Sequence, residues 1–245
     1  MTDLEIVKMN HLNILILQNP PSKEVQLATV KKNGLMIRYI DDPDNEIKLA
    51  AVRQNCEALK YIKNPDTEVQ LLAVKYDPTA IEQIIDPSKP IQCAAVSAHG
   101  LALQYIKEPT RIIQSVALKQ NGYAIKFIAS PDKGLQLIAV NESGCAIKYI
   151  NNPDIDVQIL ALEKDGDAIQ FIKNPSKDLQ LIAVKQNLRS LTLIDNPDSE
   201  VTEYVLLELM KERERITNAN NVNHNKHISC NLILDVSTVT DLKKH

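Results

Sequence analysis

The chain has 245 residues, 44% of them hydrophobic and 24% charged, with 28 basic residues against 31 acidic ones and a net charge of -3. This balance excludes the weakly apolar, highly charged class that stays disordered, and it supplies neither the basic field of a general phosphate binder nor the acidity of a nucleic-acid mimic. Cys56, Cys93, Cys145 and Cys230 have no close pair spacing, which speaks against a disulfide framework or zinc site and for a reducing, cytoplasmic compartment.

Residues 1–19 are interrupted by Lys8, Asn10, His11 and Asn13 and hold no long apolar span, so they predict an N-terminal cap and no signal or membrane helix. Proline then returns every 22 residues, at Pro21, Pro43, Pro65, Pro87, Pro109, Pro131, Pro153, Pro175 and Pro197. Shared punctuation over nine units marks one repeat array, spanning residues 20–217 with its C-terminal capping helix. With proline as position 1, position 2 is always Ser, Asp or Thr, and the residue before proline is usually Asn or Asp. Either can cap a helix whose first turn the proline presets.

A run such as EVQLLAVK (Glu68 to Lys75) follows, apolar at positions 5, 7, 8, 9 and 10. Apolar residues over so much of the circumference predict a helix sandwiched between like neighbours. Gly34, Gly100, Gly122, Gly144 and Gly166 share position 14, where a left-handed residue is expected to end the helix. Segments such as AIKYI (Ala146 to Ile150) supply a second, short α or 3₁₀ helix. One such unit cannot bury enough surface to fold alone, so the predicted fold is all-α: an α-solenoid of helix plus short-helix repeats.

Units such as NPSKDLQLIAVKQN (Asn174 to Asn187) and NPDTEVQLLAVKYD (Asn64 to Asp77) resemble the leucine-rich-repeat variant class, and also the VKQNG-type short repeats of uncharacterised bacterial, phage and giant-virus proteins. The resemblance covers roughly residues 20–205. It implies a right-handed superhelix and, for the second group, a viral or phage protein, with an inhibitor of a host defence factor as one specific case. It brings no catalytic motif. The cysteine-rich iron–sulfur segment of one variant-repeat protein has no counterpart in residues 1–19.

The ninth unit runs past the expected stop, as VTEYVLLELMKERER (Val201 to Arg215), and predicts a C-terminal capping helix. Residues 218–245 read as polar linker and tail: NANNVNHNKH (Asn218 to His227), then ISCNLILDV (Ile228 to Val236), rich in β-formers. A short β segment there has three alternatives: packing back on the array, staying loose, or pairing with another chain and so making a homo-oligomer.

Gln26, Gln70, Gln92, Gln114, Gln136, Gln158 and Gln180 form an amide ladder at position 6, expected to satisfy the loop of the adjacent unit; Asn33, Asn55, Asn121 and Asn187 invite the same structural role. Tyr39, Tyr61, Tyr105, Phe127, Tyr149 and Phe171 interchange as core positions do, so core packing is expected of them. Arg38, Lys60, Lys126 and Lys148 form a broken basic strip, the basis of a competing nucleic-acid reading. His224, His227 and Cys230 lack a fourth ligand, and no Ser, Cys or Thr stands in a nucleophile motif. No catalytic residue, metal or cofactor is expected.

In the outer units an acid at position 4 and a base at position 11 share one solvated face, as with Glu24 and Lys31 or Glu68 and Lys75. Three central units replace the acid by Pro90, Ile112 and Gly134 and place Leu101, Tyr123 and Cys145 at position 15, where others have Glu57, Thr79, Asp167 or Arg189. Just before them Pro78 replaces the glycine, Gln83 the aromatic, and Ile85 a mostly polar residue. Polarity lost together at these positions predicts an apolar stripe of Ile85, Pro90, Leu101, Ile112, Tyr123, Gly134 and Cys145 that contacts a protein partner. The expected function is a non-enzymatic repeat scaffold or inhibitor; the alternatives are a nucleic-acid binder and a self-assembling structural protein.

Overall fold

The computed structural model describes residues 2–16 and 21–222, and every element among them is helical. The α-helices are α1 (Asp3–Met9), α2 (Lys23–Lys32), α3 (Asn45–Gln54), α4 (Thr67–Tyr76), α5 (Lys89–Ala98), α6 (Arg111–Gln120), α7 (Lys133–Glu142), α8 (Ile155–Lys164), α9 (Lys177–Gln186) and α10 (Ser199–Val222). A 3₁₀ helix follows each of the first nine: η1 (His11–Ile16), η2 (Gly34–Tyr39), η3 (Cys56–Tyr61), η4 (Pro78–Gln83), η5 (Gly100–Tyr105), η6 (Gly122–Phe127), η7 (Gly144–Tyr149), η8 (Gly166–Phe171) and η9 (Leu188–Leu193). The expected β segment at 228–236 lies outside the described residues. No helix among those described is long and apolar enough to cross a membrane.

The chain forms two compact units, one ending at Ala129 and one beginning at Ser130. In the first, α1 to α6 pack each on the next, and η1 to η6 do likewise. In the second, α7 to α10 and η7 to η9 stack in the same manner. Each is an α-solenoid of the expected helix-plus-short-helix repeats.

Position 2 starts each helix. Ser22, Asp44, Asp66, Thr110, Asp132 and Ser176 accept the backbone N–H three residues on, which satisfies an otherwise orphan donor and contributes roughly 1 kcal/mol per cap. The Asn or Asp before proline has a different task. Asp42, Asn64, Asp86, Asn152 and Asn174 take left-handed backbone, with φ between 46° and 50°, a region Asn and Asp tolerate better than other side chains.

The position-14 glycines correct the sequence-based expectation, because no glycine has positive φ. The helix ends one residue earlier, at an extended position 13 such as Asn121 (φ -155°), which closes the α-helix and opens the 3₁₀ helix. Glycine is needed there for close approach between repeats. A Cβ on Gly100 would lie 2.5 Å from the Ala117 carbonyl oxygen of the next helix, and one on Gly166 2.5 Å from that of Ala183.

The core comes from positions 5, 9 and 10 of the α-helix and 16, 17 and 20 of the return segment. In one repeat these are Ile91, Ala95, Val96, Ala102, Leu103 and Ile106, all buried. Burying each large aliphatic chain contributes about 1.5–3 kcal/mol, and the alanines let adjacent helices come close. Positions 7 and 8 are mostly half-buried, so the α-helices present an outward row.

The ends depart from the pattern. Residues 1–19, expected as a simple cap, include a shortened copy of the unit, α1 plus η1, with a capping box at Thr2 and Glu5. His11 stands at position 13, and its Nε2 is 3.1 Å from Asn33 Nδ2. At the other end α10 runs to Val222, into the segment expected as linker. Met210 stands where glycine would end the helix, and the pairs Lys211–Glu208 and Arg215–Glu212 lie one turn apart along it.

Candidate partner-binding surfaces

Several regular polar residues are consumed by the repeat itself. The position-6 glutamines Gln26, Gln70, Gln92, Gln114, Gln136, Gln158 and Gln180 donate from Nε2 to the proline carbonyl that opens their own unit, at 2.7 to 3.2 Å. Gln180 Oε1 also accepts from the Asp198 N–H of the next unit at 2.9 Å. The satisfied loop is therefore mainly the glutamine's own. At position 13, Asn33, Asn55, Asn121 and Asn187 cap the 3₁₀ helices through their side-chain oxygens.

Position-4 acids are engaged from the neighbouring unit. Lys23 bonds Asp44 at 2.9 Å and Glu46 at 2.7 Å, Lys133 bonds Asp156 at 2.5 Å, and Lys177 bonds Glu200 at 2.9 Å. All are substantially exposed, and such pairs contribute about 0–1 kcal/mol each. Their larger effect is to distinguish helix faces.

Within the first unit the predicted stripe does not form one surface. Pro90 and Ile112 lie in the first turns of α5 and α6, whereas Leu101 and Tyr123 open η5 and η6 at the far ends of those helices, roughly 12 Å along the axis by helical rise. In the second unit, position 15 of η7 and η8 meets the next repeat. Asp167 Oδ1 accepts from Asn187 Nδ2 at 2.9 Å and from Ser190 Oγ at 2.7 Å, and the Cys145 thiol donates to Asp165 Oδ2 at 3.0 Å. Leu101, Tyr123 and Cys145 are each half-buried. Gly134 and Cys145 belong to the second unit. Ile85 lies in the loop between η4 and α5.

What remains exposed is more local. Ile112 is 72% exposed and Ile85 90%. On α5 the outward row of positions 4, 7, 8 and 11 is Pro90, Cys93, Ala94 and Ser97, without a charge. On α6 it is Ile112, Ser115, Val116 and Lys119. The corresponding rows of α3 and α4 are bounded by Glu46 and Arg53 and by Glu68 and Lys75.

The aromatic position also corrects the expectation of core packing. Tyr39 is 47% exposed and Phe171 37%, with Tyr61 and Tyr149 between them. Cations sit over these rings: Arg38 at 4.6 Å from the Tyr39 centroid and 5.9 Å from that of Tyr61, and Lys148 at 4.7 Å from Tyr149 and 6.0 Å from Phe171. Position 19 ends the 3₁₀ helix while position 20 turns inward, so the ring is left on the rim. Alternation between Tyr and Phe carried no signal separating rim from core; the adjacent Arg or Lys did.

Burial, reinforced by Asp165, pushes the Cys145 thiol up to about 12. At pH 8 its thiolate fraction is on the order of a thousandfold below that of an ordinary thiol, so iodoacetamide is expected to label Cys145 far more slowly than free glutathione. Asp165→Asn should speed that labelling, and peptide mapping of the alkylated chain checks both. Among the described residues no group of three His, Cys, Asp or Glu side chains is placed to hold a metal ion. His224, His227 and Cys230 lie outside the described residues.

A family model described as a domain of unknown function, DUF4116, matches residues 22–65, a stretch two repeats long. The chain matches no curated protein and no solved structure.

Proposed function

We propose that this chain is a non-enzymatic helical-repeat scaffold or inhibitor that holds a protein partner through its central repeats in the first unit. The observation that carries this reading is the outward row of α5 and α6, where Pro90 and Ile112 replace the acids of the earlier helices and Ile112 stands 72% exposed. A partly apolar face that has lost the position-4 acids of α3 and α4 favours association with a protein over solvent. Viral or phage origin, and action on a host defence factor, stand as the specific case suggested by the resemblance of the repeats.

Ile112→Glu tests the reading without threatening the fold. Glutamate is the residue of earlier units at this position, and Lys89 holds the same repeat position as Lys23, which pairs with Glu46. The variant should melt with the parent yet retain a captured partner at least about tenfold more weakly, measured by quantitative capture from nuclease-treated extract. Equal capture by both proteins rejects this face.

The exposed ring–cation ladder favours a second reading, single-stranded nucleic acid stacking along the 3₁₀ rim. It requires oligonucleotide binding that falls steeply with salt and is lost in Tyr39→Ala plus Tyr61→Ala.

A further inference from the structure

In the second unit each inner α-helix is covered by a return segment of its own, α7 by η7, α8 by η8 and α9 by η9. Among the described residues α10 has none, because the helix runs on to Val222. Its surface has changed in step. Positions 11 and 13 are polar in every unit from α2 to α9, ending with Lys185 and Asn187, whereas α10 carries Leu207 and Leu209 there. Leu207 is 51% exposed and Met210 59%. Leu206 at position 10 is only half-buried, although the residues at that position from Val30 to Val184 are all fully buried. Leu206, Leu207 and Met210 fall on one side of α10, away from buried Val201 and Val205. A terminal repeat left facing water needs a polar outer face; this one is apolar, which calls for a cover.

The chain beyond α10 carries residues suited to that cover. Leu232, Ile233 and Val236 repeat the spacing of positions 16, 17 and 20, the buried residues of a return segment such as Ala146, Ile147 and Ile150. Ser229 precedes them as Ser143 precedes that segment. The distance also closes. Met210 lies roughly 18 Å back along the helix from Val222 by helical rise, and the chain from Val222 to Ile228 spans up to roughly 20 Å when extended. A segment tethered this closely meets the face at an effective concentration in the millimolar range, which favours it over a second copy of the chain.

We propose that residues 228–236 fold back onto α10 and take the place of its missing return segment, with Leu232, Ile233 and Val236 covering Leu206, Leu207 and Met210. The tail is then an end cap that closes the last apolar face of the array. This uses no residue of α5 or α6, so it stands or falls separately from the partner-binding reading.

The test is hydrogen exchange of the full chain, followed by mass spectrometry. The amides of residues 228–236 should exchange at least about tenfold more slowly than in a synthetic peptide of residues 223–245. Leu207→Lys plus Met210→Lys should abolish that protection while α7 to α9 exchange as in the parent; lysine is the residue of α9 at position 11. Ile233→Asp leaves α10 unaltered and should speed exchange around Met210, the reciprocal effect that docking requires. Light scattering should show a monomer at the concentration used. The proposal is overturned if the tail exchanges as the free peptide does, if its protection survives in the folded double variant, if Ile233→Asp leaves exchange around Met210 unchanged, or if protection appears only in a dimer and vanishes on dilution, which would assign the face to a second copy.

Discussion

Replacing Gly100 by alanine is expected to destabilise the first unit by about 2–3 kcal/mol, the upper range for overpacking by a single carbon. The added Cβ would lie 2.5 Å from the Ala117 carbonyl oxygen and 2.8 Å from Gln120 Oε1. The carbonyl cannot swing away, because it accepts the Asn121 N–H at 2.9 Å and so holds the end of α6. Relief requires α6 to withdraw from η5, which also stretches the 2.5 Å bond from the Gly100 N–H to Gln120. Urea unfolding should show a lower midpoint, and hydrogen exchange should place the loss at the α5–α6 junction. A midpoint within error of the parent would mean that the repeats are not held at this spacing.

Gln180→Leu should cost about 2–4 kcal/mol despite being close to isosteric. Gln180 is 6% exposed and serves two backbone groups, the Pro175 carbonyl at 3.1 Å and the Asp198 N–H at 2.9 Å. Leucine leaves both unsatisfied at the edge of α10, and each orphaned group costs about 1–3 kcal/mol. The released element is α10, whose amides should exchange first. Gln92→Leu is the matched control, since half-buried Gln92 serves only the Pro87 carbonyl, at 2.8 Å; it should cost roughly 1 kcal/mol. Equal costs at the two positions would refute the bridging role of Gln180.

The fold was legible because each repeat states its own boundaries. Position 2 offers a capping oxygen, and positions 5, 9 and 10 carry the buried stripe. The glycine was located correctly but explained wrongly. Left-handed backbone and close approach both demand glycine, and for three of the five glycines the sequence hint separating them is a glutamine twenty residues on. Gln54, Gln120 and Gln186 accept from Gly34, Gly100 and Gly166, while Pro78, which has no N–H, is matched by Ala98.

The candidate surface was less legible. Its apolar departures were visible in the sequence, but positions 4 and 15 were grouped because both lost polarity in the same units. Folding sends them to opposite ends of a helix and turns position 15 into the next junction, as the Cys145–Asp165 bond illustrates. Gln83 was likewise visible as a departure, but not that its side-chain oxygen would be buried without a hydrogen-bond partner.

By itself the sequence determined the period, the α-plus-short-helix unit, the caps and the buried alanines, because these depend on contacts within a repeat or repeated identically between repeats. Tertiary structure alone decided which polar residues are spent on neighbours and which rings stand on the rim. Those outcomes depend on the distance and direction between successive repeats, which no single 22-residue unit encodes.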